Sequence, residues 1–195
     1  VNAKTATDMS YMFMSSAMTV NLKNLDTSNV TNMESMFARN SDFHNMTSGE
    51  LHYSYYTGKA GEKIKRFGDG CTTINGINSL NVSKVTNMTS MFEIGSYCNT
   101  LDLSKWNTSK VTSMARMFFD TEAKVNLNGL NTSKVADMSY MFGTFEDNNL
   151  ILNYADLSKL DTSNVIDMEG MFYAHGYIEQ LDLSGWNTSK VTNMA

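Results

Sequence analysis

An eleven-residue pattern, Thr-Ser-x-Val-x-x-Met-x-x-Met-Phe, recurs along this chain and constrains its fold more than any other feature. It stands at Thr27 to Phe37, Thr108 to Phe118, Thr132 to Phe142 and Thr162 to Phe172, with a looser copy at Val82 to Phe92. A degenerate copy opens the sequence and a truncated one closes it. Self-similarity at a fixed period means an array of small units that cover one another, not one enzyme-like core. Function is then to be sought where the pattern is broken.

The first Met of each copy falls at Met9, Met33, Met88, Met114, Met138, Met168 and Met194, in steps of 24, 55, 26, 24, 30 and 26 residues. The unit is therefore 24–26 residues, and the two long steps are one unit plus an insertion, which an array accepts only in surface loops. The large insertion lies within 38–74 and the smaller within 143–154. Residues 1–195 read as one continuous segment of about six to seven coils. Neither end carries a polar cap, so a longer parent protein is expected.

Within a unit, Leu101 and Leu103 show the two-residue period of a strand, and Val20/Leu22, Val125/Leu127, Ala155/Leu157 and Leu181/Leu183 are equivalent pairs. They are expected to stack as short parallel strands, one per coil. Val111, Met114, Met117 and Phe118 fit one face of a short helix. The β-branched Val-Thr pair favours a second strand followed by a single helical turn at x-Met-Phe. Neither half buries its apolar side alone. Burying a Met, Leu or Phe gains about 1.5–3 kcal/mol, so contacts between coils supply the main term against chain entropy. The Thr-Ser pairs should line up as a column whose hydroxyls satisfy turn amides. The fold expected is a leucine-rich-repeat-like solenoid, with one short parallel β-strand plus a short helical turn or second strand per coil.

With those residues laid out, the chain resembles the BspA-like leucine-rich repeat surface proteins of bacteria, in the branch known from mycoplasma lipoproteins and lactobacillus surface proteins. The shared signature is Leu-Asp-Leu-Ser-x-Trp-Asn-Thr-Ser-x-Val-Thr-x-Met-x-x-Met-Phe, best preserved at 101–118 and 181–194. The resemblance implies a solenoid of the leucine-rich-repeat type, export to the cell surface, and a role in adhesion or recognition. The chain departs from the signature in the 38–74 insertion, in the Val82-Ser83 copy that lacks the Thr, and at Ala6, which replaces Val.

The formal net charge is −5, with Lys and Arg scattered. That argues against the basic footprint required to grip phosphate backbones. No apolar run approaches the roughly 20 residues that cross a bilayer. Cys71 and Cys98 are too few for a disulfide scaffold and lack CxxC spacing; they either pair or sit as two separate thiols. The sixteen methionines suit copper(I) in principle, but each holds a fixed apolar position beside a Phe, as core filler does. The recurring Asp26, Asp102, Asp156, Asp161 and Asp182 read as turn carboxylates, since the Gly-rich nonapeptide of calcium-binding β-rolls is missing. His44, His52 and His175 belong to no catalytic motif, and no metal or cofactor is expected.

The 38–74 insertion mixes aromatic and cationic residues between glycines. Tyr53, Tyr55, Tyr56, Lys63, Lys65, Arg66 and Phe67 are the binding candidates, because aromatics and Arg are enriched where proteins grip partners. A compact flap packed by its own aromatics is the other reading. Asn29, Asn45, Asn81, Asn87, Asn107, Asn131 and Asn187 begin Asn-x-Ser/Thr and are glycan acceptors only if the source is a secreted eukaryotic chain. The function expected is a non-catalytic, extracellular or cell-surface repeat domain, a spacer and platform for a protein or glycan partner. The alternative is a structural protein whose uncapped coils self-associate into a filament or sheath.

Overall fold

The computed structural model describes residues 3–14, 19–38, 72–95, 97–144, 156–174 and 181–195. Counting repeats by their first Met, from Met9 as repeat 1 to Met194 as repeat 7, every repeat hydrogen-bonds to the next. The first apolar pair of the unit forms β1 (Thr19–Asn21), β2 (Thr73–Asn75), β3 (Leu101–Asp102) and β4 (Val125–Asn126). β1 pairs with β2 and β3 with β4, all in parallel register, with Val20 opposite Ile74 and Leu101 opposite Val125. Between β2 and the following repeat the side-chain amide of Asn99 takes over, donating to the Ile74 carbonyl at 2.8 Å and accepting from its amide at 3.0 Å. In repeat 6 the 3-10 turn Leu157–Lys159 follows the equivalent stretch, whose Ala155 lies outside the described residues, and Leu181 to Leu183 in repeat 7 is not a strand.

A second ladder is the more regular one. Parallel bridges join Asp8, Asn32, Asn87, Ser113, Asp137, Asp167 and Asn193 in unbroken order. Each residue precedes the first Met of its repeat. The Met amide donates to the next repeat's bridge carbonyl, as Met33 does to Asn87 and Met114 to Asp137, both at 3.0 Å. The ladder passes from Asn32 straight to Asn87, so the large insertion does not interrupt the stack.

After the bridge the chain turns twice, and no α-helix forms among the described residues. The reason is one backbone angle. Tyr11, Ser35, Ser90, Arg116, Tyr140 and Gly170 occupy the same position, two before Phe, and all have φ between 51° and 60°. A left-handed residue cannot continue a right-handed helix. Instead the two Met residues close one tight turn, Met117 N to Met114 O at 3.1 Å, and the left-handed residue closes the next, Phe119 N to Arg116 O at 3.0 Å. This geometry also aims the Phe amide at the next repeat, as in Phe92 N to Met117 O at 3.0 Å.

The core lies between these two ladders. Met33, Met36, Met88, Met91, Met114, Met117, Met138 and Met141 are fully buried. Phe13, Phe37, Phe92, Phe118, Phe142 and Phe172 stack face to face in one column, with centroids 5.5–6.3 Å apart and rings within 10° of parallel. Trp106 extends the apolar column beside Phe92 and donates its indole N–H to the Ile77 carbonyl of the preceding repeat at 3.0 Å; Trp186 does the same to Leu157.

Polar corners complete each repeat. The buried Thr108 hydroxyl donates to the Asn131 carbonyl and accepts from the Asn131 amide, at 2.9 and 2.8 Å. Thr27 and Thr162 clip Asn81 and Asn187 in the same two ways. The Thr column thus satisfies the neighbour's backbone, while the Ser amides bond within their own turns to Asp26, Asn81, Asn107, Asn131, Asp161 and Asn187. Such local Asx turns are what short polar side chains do where a chain reverses.

Candidate functional site

All seven sequence-derived binding candidates, Tyr53, Tyr55, Tyr56, Lys63, Lys65, Arg66 and Phe67, lie outside the described residues, as do Asn45, His44, His52, His175 and Cys71. Cys98 is disulfide-bonded, and Cys71 is the only other cysteine in the chain. The remaining Asn-x-Ser/Thr asparagines have structural work. Asn81, Asn107, Asn131 and Asn187 close Asx turns, Asn87 donates to Glu34, and Asn29 donates to the Lys4 carbonyl while accepting from Lys84. The carboxylates of Asp26, Asp102, Asp156, Asp161 and Asp182 each accept an amide two residues on. Among the described residues no group of three or more His, Cys, Asp or Glu could hold a metal ion, and no helix is long and apolar enough to cross a membrane.

One cluster among the described residues departs from the repeat and is built rather than incidental. It begins at the left-handed turn position, where Ser35 and Ser90 are small but Arg116 and Tyr140 are large. The Arg116 guanidinium bonds Oε1 of Glu93, a side chain only 3% exposed, through Nε at 2.9 Å and Nη2 at 2.5 Å. It also lies 4.2 Å from the Phe119 ring centroid and 5.7 Å from that of Tyr140. A planar, weakly hydrated guanidinium is suited to pairing and stacking at once. Tyr140 meets Phe119 edge-on at 6.1 Å and Tyr173 at 6.0 Å with 59° between the rings.

The backbone makes room for these rings. A Cβ on Gly170 would lie 2.3 Å from the Tyr140 ring, and one on Gly143 would lie 2.9 Å from the Phe119 ring. Tyr140 then donates its hydroxyl to Glu169 Oε1 at 2.8 Å, while Asn193 donates to Glu169 Oε2 at 2.9 Å. Burial, followed by the bond to Glu169 and that group's charge, pushes the Tyr140 phenol up to about 12. The two donated bonds hold the Glu169 carboxyl below its ordinary value. The same clasp exists once more: Tyr11 donates to Glu34 at 2.7 Å and Asn87 to its other oxygen at 3.1 Å, again over three successive repeats. Tyr173 has no aromatic counterpart at the Tyr11 clasp, where Ala38 holds the equivalent place.

Reasoning from the repeat treats the x positions as interchangeable, and so passes over Arg116, Tyr140 and Glu169. The available signal was the bulk of Arg116 and Tyr140 at a position that holds Ser at 35 and 90 and Gly at 170; Tyr11 shares that position, and Glu169 stands one residue before it. Chemically the cluster offers an exposed aromatic ring (Tyr173, 45% exposed), an ionised carboxylate in fixed orientation and a guanidinium at its edge.

Residues 1–55, 62–154 and 122–195 match the family described as "Mycoplasma protein of unknown function, DUF285". The chain belongs to this family. The gap between the first two DUF285 matches, at 56–61, falls inside the large insertion. The overlap of the other two at 122–154 is what a repeated unit produces, since one stretch serves as the end of one match and the start of the next. The cluster from Glu93 to Asn193 lies wholly within DUF285 sequence. No curated protein matches the chain, and no solved structure does.

Proposed function

We propose that this DUF285 chain is a non-catalytic repeat domain displayed outside the cell, where it serves as a spacer and a recognition platform for a protein or glycan. The finer assignment, a solenoid of the BspA-like leucine-rich repeat type, is part of that proposal. It is supported by the Leu-Asp-Leu-Ser-x-Trp-Asn signature and by parallel pairing between equivalent residues of successive repeats.

The observation that carries the functional reading is the unbroken bridge series from Asp8 to Asn193. A scaffold in which every repeat fixes the next holds outward side chains at a constant register. Such arrays lend themselves to extended binding surfaces. The test is direct. Beads coated with the chain are expected to bind host cells or extracellular matrix well above beads coated with an inert protein of equal charge. Equal retention on both would overturn the platform.

A further inference from the structure

We propose that Tyr173, Tyr140, Glu169 and Arg116 form a subsite for a neutral sugar ring, presented by three successive repeats. This deepens the platform reading and rests on it.

Three features of the cluster select the ligand class. First, the aromatic surface is held outward at some cost. Tyr140 and Arg116 both sit at positive φ, and Arg116 is anchored there by a buried carboxylate. Tyr173, nearly half exposed, leans on Tyr140. A ring so placed offers a flat face to the C–H side of a pyranose, as aromatic residues do at recognition sites where an apolar body meets a polar edge.

Second, a cationic ligand finds two of the three ring faces occupied. The faces of Phe119 and Tyr140 are already served by the chain's own Arg116, at 4.2 Å and 5.7 Å, which leaves Tyr173 as the open ring. Third, an anionic ligand is disfavoured. Asp137 and Asp167 occupy the bridge positions of the same two repeats as Tyr140 and Glu169, and Glu93 already neutralises Arg116. The open Tyr173 ring beside the acceptor oxygens of Glu169 suits a neutral molecule rich in hydroxyls, and a cationic ligand is the competing outcome of the test. Each Glu169 oxygen accepts one bond from the protein. A carboxylate has about four acceptor sites, so capacity is left for a pair of sugar hydroxyls.

The test uses the 195-residue chain on an array of neutral, sialylated and sulfated glycans, with oligolysine as the cationic probe, followed by titration of the best neutral oligosaccharide. The expected result is selective capture of neutral glycans. Tyr173→Ala and Glu169→Gln should each weaken the titrated affinity at least tenfold. Tyr11→Ala, which removes a similarly exposed tyrosine (43%) from the clasp where Ala38 stands in place of Tyr173, should leave it unchanged. Circular dichroism of each variant separates lost binding from lost folding. If a variant fails to fold, transferred saturation from the wild-type tyrosine rings to the sugar protons decides the matter. Preference for sulfated or sialylated glycans, preference for oligolysine, no capture at all, or affinity untouched by both substitutions would each overturn the subsite. Bead adhesion keeps the two proposals apart: adhesion that survives Tyr173→Ala and Glu169→Gln removes the subsite alone, whereas wild-type beads that do not adhere remove the platform.

Discussion

A hydroxyl can be buried at little cost only when its hydrogen and a lone pair are both used, and Thr108 uses both on the backbone of Asn131. Thr108→Val keeps the shape and strands the neighbouring amide and carbonyl, so a loss of about 1–3 kcal/mol in urea unfolding is expected. Repeat 3 has made that exchange naturally at Val82, which is buried. There Val82→Thr should add about 0.5–1.5 kcal/mol by the same measure. At Gly170 a side chain would carry the backbone strain that Tyr140 and Arg116 bear at the same φ, and the space is closed as well. Gly170→Ala would drive a methyl into the Tyr140 ring. The near-ultraviolet dichroism of the tyrosines should collapse there while far-ultraviolet signal persists. Tyr140 itself titrates late. Its folded pKa lies above the ordinary 10.0, so its contribution to stability is complete below pH 10 and is lost as pH rises toward about 12.

At the scale of the turn, the double Met bend with its Phe was legible in part. Spacing alone placed Met33, Met88, Met114 and Phe118 in the core, because residues at i, i+3 and i+4 face one way whether the backbone is a helix or a pair of tight turns. That same degeneracy hid the left-handed residue between the two Met positions, since Arg, Tyr and Ser carry no local signal for positive φ comparable to glycine. The strand pairs at Val20, Leu101 and Val125 were legible from alternation. The splice by Asn99 was not, because it depends on a side chain reaching another repeat. The Phe column follows from the turns, and its central ring is the test of their cooperation. Phe118→Ala removes stacking on both Phe92 and Phe142 and should cost about 3–5 kcal/mol in thermal or urea melts.

Across the whole molecule the Asx corners act together. Asp8, Asp26, Asp102, Asp161 and Asp182 are all held below the ordinary 3.8 by the hydroxyl and amide of a serine two residues on. A depressed carboxyl stabilises the fold above its unfolded pKa and loses that contribution as pH falls through the folded value. Stability should therefore be level down to about pH 5 and decline below about pH 4, in urea midpoints taken across that range. The direct step from Asn32 to Asn87 predicts that deletion of residues 40–70 leaves a cooperatively unfolding chain; a molten product would mean the insertion helps to build the stack. The sequential ladder also has a mechanical meaning. Its bonds join only neighbours, so a pull on the two ends can undo them one step at a time, and each 24-residue repeat that lets go pays out about 80 Å of slack chain at 3.3–3.6 Å per residue. A tether of this kind yields in instalments, absorbing a tug that would tear a single-core domain free.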